Sequence, residues 1–385
     1  MSRQIERHFL TGSVFAAGAA DTARTANKPQ ALEVAHKLAA HISGALHTLS
    51  IAIYDFRLEE PEASVVIDAI NARADAGVLV RIAYFSQPTA RSSAAFTAAG
   101  SDPAPATDPA IFARMHPRVR TKAVTEADVQ SIAATVQKKA IAGGGHLMHN
   151  KYVVCDEGSP AATVWTGSAN FTTDAWTLQD NNILIVPSQE LAGYYATDFG
   201  ELWDAGRIAG TGVGDVGTAL VGDVAVDVDF APGEGATIDA AIAAHIAAAS
   251  ERISVASMVI SSGTVLGAMI DALDRGVVLT GIYDGPQMHN VENAWTRSGS
   301  ASLGPWQRVK SVLTAKASVP YSAGGAHNFM HNKCLVVDGQ LVLTGSFNFS
   351  QNATRNAENV LTLHDAGLAG QYESYIAALV KKYGS

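Results

Sequence analysis

A chain of 385 residues is longer than a single hydrophobic core usually organises, so about two domains are expected. Hydrophobic residues make up 48% and charged residues 16%, an ordinary globular balance, and the net charge of −9 excludes a wholly basic nucleic-acid coat while leaving room for a local basic cleft. Two cysteines, Cys155 and Cys334, exclude a disulfide framework; both sit in apolar runs and read as buried strand thiols.

The N-terminal stretch is broken by Gly and Ser and makes a poor signal peptide, and no apolar run is long enough to span a membrane. The chain therefore reads as soluble and cytoplasmic. The first β-rich run is LSIAIYDF (49–56). EASVVIDAINARADAG (62–77) then carries apolar residues at helical spacing and stops at Gly, and VLVRIAYF (78–85) is a second strand. Strand, helix, strand implies a parallel unit with a right-handed crossover. Residues 87–145 read as an insertion, rich in proline, with a locally basic stretch at 114–122 and a helical run at 125–140. The basic stretch fits either a solvated loop or a rim that attracts a phosphate backbone.

At His149 begins HNKYVVCDEGSPAATVWTGSANFT, followed by the strand NNILIV (181–186) and a helix at 191–203. The segment at 209–220 contains a formal GxGxxG, Gly212 to Gly217, but a helix precedes it where a dinucleotide loop needs a strand, so it reads as a linker. Everything then recurs: ISVASMVI (253–260), a helix over 264–276, VVLTGIYD (277–284), HNKCLVVDGQLVLTGSFNFS from His331, NVLTL (359–363) and a helix over 368–380. The chain is a duplication, with a first lobe over 1–210 and a second over 211–385. The expected fold is α/β: two pseudo-twofold-related α/β/α sandwich lobes with mixed, largely parallel sheets.

Both copies hold His-x-Lys, an Asp five residues after the Lys, and Gly-Ser-x-Asn-Phe. On a strand, His149 and Lys151 share one face, as do His331 and Lys333. A ring nitrogen beside a fixed positive charge suits attack on a phosphoryl group. Gly167 and Gly345 allow close approach, while Ser168, Asn170, Ser346 and Asn348 offer neutral donors to phosphoryl oxygens. Two copies facing each other supply a nucleophile and a proton donor: one neutral His attacks phosphorus and becomes a phosphohistidine, and the other, protonated, gives its proton to the leaving oxygen. Each His needs an orienting carboxylate. Glu358 lies ten residues after Asn348 and Asp180 ten after Asn170, which makes them the candidates for His331 and His149 respectively. Asp156 and Asp338 end the motif strands and are read as tying down a turn. The pairs His146/His149 and His327/His331 have zinc-compatible spacing, but both lead into strands without HExxH or a cysteine pair, so no metal and no cofactor is expected.

These motifs, HxKxxxxD followed by GSxN in two copies, resemble those of the phospholipase D superfamily. The resemblance implies the two-lobed fold, a covalent phosphohistidine, no metal requirement and the N-terminal histidine as nucleophile. The second copy is most similar to the superfamily's small bacterial endonucleases. Asp180 stands where the family usually has Glu or Gln. The expected activity is phosphodiester hydrolysis, with nucleic acid favoured as substrate. The alternative is a phospholipid headgroup reached through an apolar rim of Met148, Phe329, Trp295 and Trp306; a non-catalytic scaffold would predict a damaged motif, and both are intact. One chain supplies a complete site, so a monomer suffices and no protein partner is required.

Overall fold

The computed structural model describes residues 4–15, 18–86, 109–125, 146–322 and 325–384. The first lobe holds β1 (Glu6–Leu10), β2 (Thr48–Ile53), β3 (Phe56–Arg57), β4 (Leu79–Phe85), β5 (Arg120–Val124), β6 (Lys151–Cys155), β7 (Thr163–Gly167), β8 (Phe171–Thr172) and β9 (Asn181–Val186). The second holds β10 (Gly217–Val221), β11 (Val224–Ala231), β12 (Arg252–Ser257), β13 (Val278–Asp284), β14 (Thr314–Lys316), β15 (Lys333–Val337), β16 (Leu341–Gly345) and β17 (Glu358–His364). The two large sheets run β1-β9-β7-β6-β2-β4-β5 and β10-β11-β17-β16-β15-β12-β13-β14, while β3 and β8 form a short ribbon. Apart from β10 the large sheets match strand for strand, so the duplication extends to β5 and β14. The expected insertion thus contains a strand of the repeat itself; its expected helical run falls, beyond Thr125, outside the described residues.

Parallel pairing within the large sheets is confined to β2-β4-β5 and β12-β13-β14. Crossover helices separate β2 from β4 and β12 from β13 in sequence, which parallel pairing requires. The motif strands join their neighbours by tight turns, so β6-β7 and β15-β16 are antiparallel. The crossover helix Glu62–Asp75 buries Ala63, Val66, Ile67, Ile70 and Ala74, the stripe its spacing predicts, and the chain turns away at Gly77 with φ +88°. In the second lobe Ser262 caps the equivalent helix, Gly263–Asp274, by accepting from Val265 N at 3.3 Å.

Three apolar cores result. Two lie on the outer faces, under the helices Lys28–Ser43 and Glu62–Asp75 and under Gly235–Ala248 and Gly263–Asp274. The third lies between the sheets and takes residues from both, with the helices Gln189–Ala205 and Ala366–Tyr383 packed into it. Strand alternation feeds both sides: Tyr152, Val154, Cys334 and Val336 enter the shared core, while Val153, Cys155, Leu335 and Val337 enter the outer ones. Burial pushes both cysteine thiols up to about 12, so neither is poised to react. No helix among the described residues is long and apolar enough to cross a membrane. The GxGxxG segment leads from the helix Gln189–Ala205 into β10, the connection expected of a linker.

Asp156 and Asp338 occupy left-handed backbone, with φ 55° and 48°. Asp156 accepts from the backbone N–H groups of Leu46, His47 and Thr48, and Asp338 from those of Ser250, Glu251 and Arg252. Each carboxylate therefore pins the loop that launches the neighbouring antiparallel strand, β2 or β12. Burial opposes ionisation of Asp338, but the amide donors outweigh it and hold the carboxyl at about 2. Because the folded-state value lies below that of the unfolded chain, this stabilisation is present above about pH 4 and is lost as pH falls toward the folded value. Asp338→Asn should lower the melting temperature at pH 7 and flatten the acid limb of stability between about pH 4 and 2, measured by thermal unfolding across pH.

Candidate active site

The sequence places His149 and Lys151 on one strand face, and burial follows that parity. Asn150, one residue between them, points into the shared core, where its Nδ2 donates to Asp198 at 3.2 Å. Asn332 in the second lobe does the same toward Tyr375, at 3.0 Å. Both histidines and both lysines are almost wholly buried. Each lysine Nζ donates to the carbonyl of its own histidine, Lys151 at 2.5 Å and Lys333 at 2.8 Å, which holds the ammonium beside the ring two residues back. The Tyr54 ring meets His149 edge-on, with centroids 4.8 Å apart, and Lys151 Nζ lies 4.9 Å from its centre.

The orienting partners are crossed between lobes. His149 Nδ1 donates to Glu358 Oε2 at 2.6 Å, and Glu358 Oε1 accepts from Asn356 at 2.9 Å. His331 Nδ1 donates to Asn181 Oδ1 at 2.9 Å. The expected pairing, Glu358 with His331 and Asp180 with His149, is therefore corrected on both counts. Backbone connections explain the crossing: His149 N donates to Ala357 O at 2.8 Å and His331 N to Asp180 O at 3.0 Å, so each motif enters its strand alongside the other lobe's closing strand. The structural counterpart of Glu358 is Asn181, one residue beyond Asp180. Ser168 N donates to Asn182 O, and Ser346 N to Asn359 O, both at 3.0 Å. The first lobe bridges this gap with the short helix Thr173–Thr177, the second with the 3-10 turn Ala353–Arg355, and the helix uses one residue more.

Asp180 faces away from His149. It is fully buried against Lys316 Nζ at 2.5 Å and accepts from Gly12 N at 2.8 Å and Tyr383 OH at 3.0 Å. Ser168, expected as a phosphate donor, gives its hydroxyl to Asn181 Oδ1 at 2.8 Å and accepts from Asn182 N at 3.0 Å. Ser346 Oγ likewise accepts from Asn359 N at 3.0 Å. Both serines brace the closing strands. Gly167 and Gly345, at φ 140° and 151°, are required by close approach: a Cβ would lie 2.3 and 2.2 Å from the carbonyl oxygens of Asn182 and Asn359.

A narrow polar pocket opens onto this machinery. Tyr54, Asn170 and His331 line it together with Asp55, Arg57 and Asp174. Asn170 Oδ1 is buried without a partner, and Asn348 is 3% exposed. Through Arg57, Thr172 and Asp174 the pocket adjoins a larger cavity of about 390 Å³, where Arg24 and Arg114 join Glu59. Among the described residues each arginine there is matched by an acid: Arg57 with Asp55 at 2.6 Å, Arg24 with Asp174 at 2.8 Å, Arg114 with Glu60 at 2.7 Å. Of the basic stretch, Arg114 lines this cavity, His116 pairs with Asp75 at 2.9 Å, and Arg120 begins the edge strand β5. Sequence reasoning missed Asn181, Arg57 and Tyr54; only superposition of the two halves, not residue counting, would have flagged Asn181.

At the mouth, His327 is stacked between Tyr321 and Phe329, with centroids 5.0 and 5.1 Å apart, and its Nε2 meets Ser322 O at 3.1 Å. No group of three metal-ligating side chains among the described residues is placed to hold an ion. Of the expected apolar rim, Met148, Phe329 and Trp306 are buried, and Trp295 packs on the second lobe's core.

A family model described as cardiolipin synthase, PLD-like domain, matches residues 38–203 and 242–380. Phospholipase D of Rickettsia bellii is 34% identical over 148 residues, 38% of this chain and 65% of that protein, so the match stops short of the relative's full length. Mitochondrial cardiolipin hydrolase of Xenopus tropicalis is 30% identical over 93 residues, 24% of this chain and 40% of that protein. The solved phosphatidylserine synthase of Haemophilus influenzae Rd KW20 shares the fold, with a TM-score of 0.60 at 12% identity over 91% of this chain and 84% of that one.

Removing Lys316 would leave the Asp180 charge buried and unpaired. Lys316→Met should cost about 3–5 kcal/mol, read as a lowered denaturation midpoint, and adding Asp180→Ala should recover part of the loss.

Proposed function

Because this chain belongs to the phospholipase D superfamily, we propose that it cleaves a phosphodiester through a phosphohistidine formed on His149, with His331 as general acid and then general base. The observation that carries this reading is the pair of buried histidines whose Nδ1 atoms are held across the lobe boundary, by Glu358 at 2.6 Å and Asn181 at 2.9 Å; we assign the reacting role to Nε2 of each.

The roles follow from the partners. His149 Nε2 attacks phosphorus with its lone pair, a P–N bond forms and the ring becomes cationic. The Glu358 carboxylate at 2.6 Å offsets that charge as it develops. The P–O bond to the leaving group breaks, and His331 Nε2–H protonates the departing oxygen. In the second step His331, now neutral, takes a proton from water. The water oxygen attacks phosphorus, the P–N bond breaks, and His149 recovers its electron pair. The products are an alcohol and a phosphomonoester. Lys151, Lys333, Asn170 and Asn348 are the groups we assign to the phosphoryl oxygens. This scheme draws nucleophile and protons from side chains, so it requires neither metal nor cofactor.

For the substrate we propose a phospholipid-class phosphodiester. Two features support it: among the described residues each arginine lining the pocket and the cavity beside it is paired with an acid, and the relatives are named for phospholipid substrates. Nucleic acid, favoured by the sequence reading, is the second reading; the Tyr321–His327–Phe329 stack at the mouth favours it, because bases stack on aromatic rings.

His331→Ala should lower kcat by about 10²–10⁴ on natural substrates, and His149→Ala should abolish turnover. With a chromogenic diester whose leaving group needs no proton, labelled phosphoenzyme should accumulate in His331→Ala and be absent in His149→Ala. Trapping in neither would rule out the covalent step. Activity should persist in excess chelator. A panel of phospholipid vesicles, single- and double-stranded DNA, and RNA decides the substrate: the fastest turnover should fall on vesicles, and selective cleavage of a nucleic acid would reverse the assignment.

A further inference from the structure

We propose that Asn181 is a positioning residue that sets the protonation behaviour of His331, and that the neutral amide at this position, where the other lobe has Glu358, separates the two histidines into different roles. The inference rests on the two-histidine reading above and deepens it.

The first support is structural equivalence. Gly167 pairs with Ile183 and Gly345 with Val360, and the Ser168 and Ser346 backbone bonds match, so Asn181 and Glu358 occupy the same place in their lobes. Each reaches across to Nδ1 of the other lobe's histidine, at 2.9 and 2.6 Å. The same backbone thus presents an amide to one ring and a carboxylate to the other.

The second support is that the amide's orientation is determined by its neighbours. Asn181 Nδ2 donates to Ala175 O at 3.1 Å. Ser168 Oγ already accepts from Asn182 N, so its own proton goes to Asn181 Oδ1 at 2.8 Å. Flipping the amide would set Oδ1 against the Ala175 carbonyl and leave the Ser168 proton without an acceptor. Only an acceptor therefore faces His331 Nδ1. That nitrogen then carries a hydrogen in both protonation states, which assigns proton exchange to Nε2. An amide buried in a braced network acts as a fixed tautomer selector.

The third support is electrostatic. A carboxylate favours the imidazolium strongly, while an amide oxygen accepts the hydrogen bond without a full opposing charge. His331 therefore releases its proton more readily than a carboxylate-held ring would. That suits a group that must donate in the first step and be neutral in the second. Among the described residues, the other titratable groups around it are Asp55, Asp174, Arg57 and His327 at the pocket and Lys333 on its own strand. The acids favour the cation and the bases oppose it, and a substitution at Asn181 leaves all of them in place.

The test is Asn181→Asp, close to isosteric, compared with Asn181→Ala and Glu358→Gln. The imidazole of His331 is followed by nitrogen NMR in the resting protein, and kcat/KM for the best natural substrate, whose leaving group needs the proton, is followed across pH. The aspartate should raise the His331 titration midpoint by about one to two units and carry the alkaline limb of kcat/KM upward by a similar amount. The acid limb, which reports His149, should move downward in Glu358→Gln. Because macroscopic values belong to the coupled pair, the two limbs are compared across all variants. Asn181→Ala should lower kcat more than KM and lose the fixed Nδ1–H tautomer. An unchanged His331 midpoint in Asn181→Asp, or a wild-type ring protonated at Nε2 when neutral, would overturn the proposal. A shifted midpoint with an unmoved pH–rate profile would instead uphold Asn181 as the setter of His331 and count against the two-histidine mechanism.

Discussion

Each half of this molecule supplies the hydrogen-bond partners that the other half's motif needs. The closing strands carry the exchange. Asn182 donates to Asn332 at 2.9 Å and accepts from Thr344 and Tyr372, while its counterpart Asn359 donates to Thr166 at 3.0 Å and Tyr195 at 2.8 Å. One residue before each asparagine sits the side chain that holds the other lobe's histidine. All these groups are buried, where an unmade hydrogen bond costs roughly 1–3 kcal/mol. The two lobes are therefore locked in one register, and the histidine partners are placed by the same contacts that close the shared core.

Duplication within one chain frees the two halves to diverge. The backbone frame is kept: glycines with φ near 150° admit the closing-strand carbonyls, serines brace the same strands, and aspartates with positive φ pin the loops that launch β2 and β12. What differs is the group offered to each ring. A carboxylate in one place and an amide in the other give the two Nδ1 atoms chemically distinct partners within a twofold frame.

The surroundings of the histidines are polar and charged. Among the described residues, the arginines lining the active pocket and the cavity beside it are each matched with an acid. The paired acids also hold each guanidinium in a fixed orientation, a form of preorganisation.

The sequence by itself determined the duplication, the α/β architecture and the shared face of His149 with Lys151 and of His331 with Lys333. All of these rest on short-range periodicity: a strand alternates every two residues whatever surrounds it. It also marked Glu358 as an orienting acid, but for the wrong ring. Only the tertiary structure decided the crossing of partners, because which histidine a closing strand reaches depends on how the lobes dock. It also decided that Asn181, not Asp180, is the counterpart of Glu358. Counting from Asn170 and Asn348 assumed equal connections, yet one lobe spans the gap with a helical turn and the other with a tighter 3-10 turn, and the extra residue moves the register by one. That slip takes Asp180 out of the site and into the ion pair with Lys316, where its charge serves the lobe interface instead of a ring nitrogen.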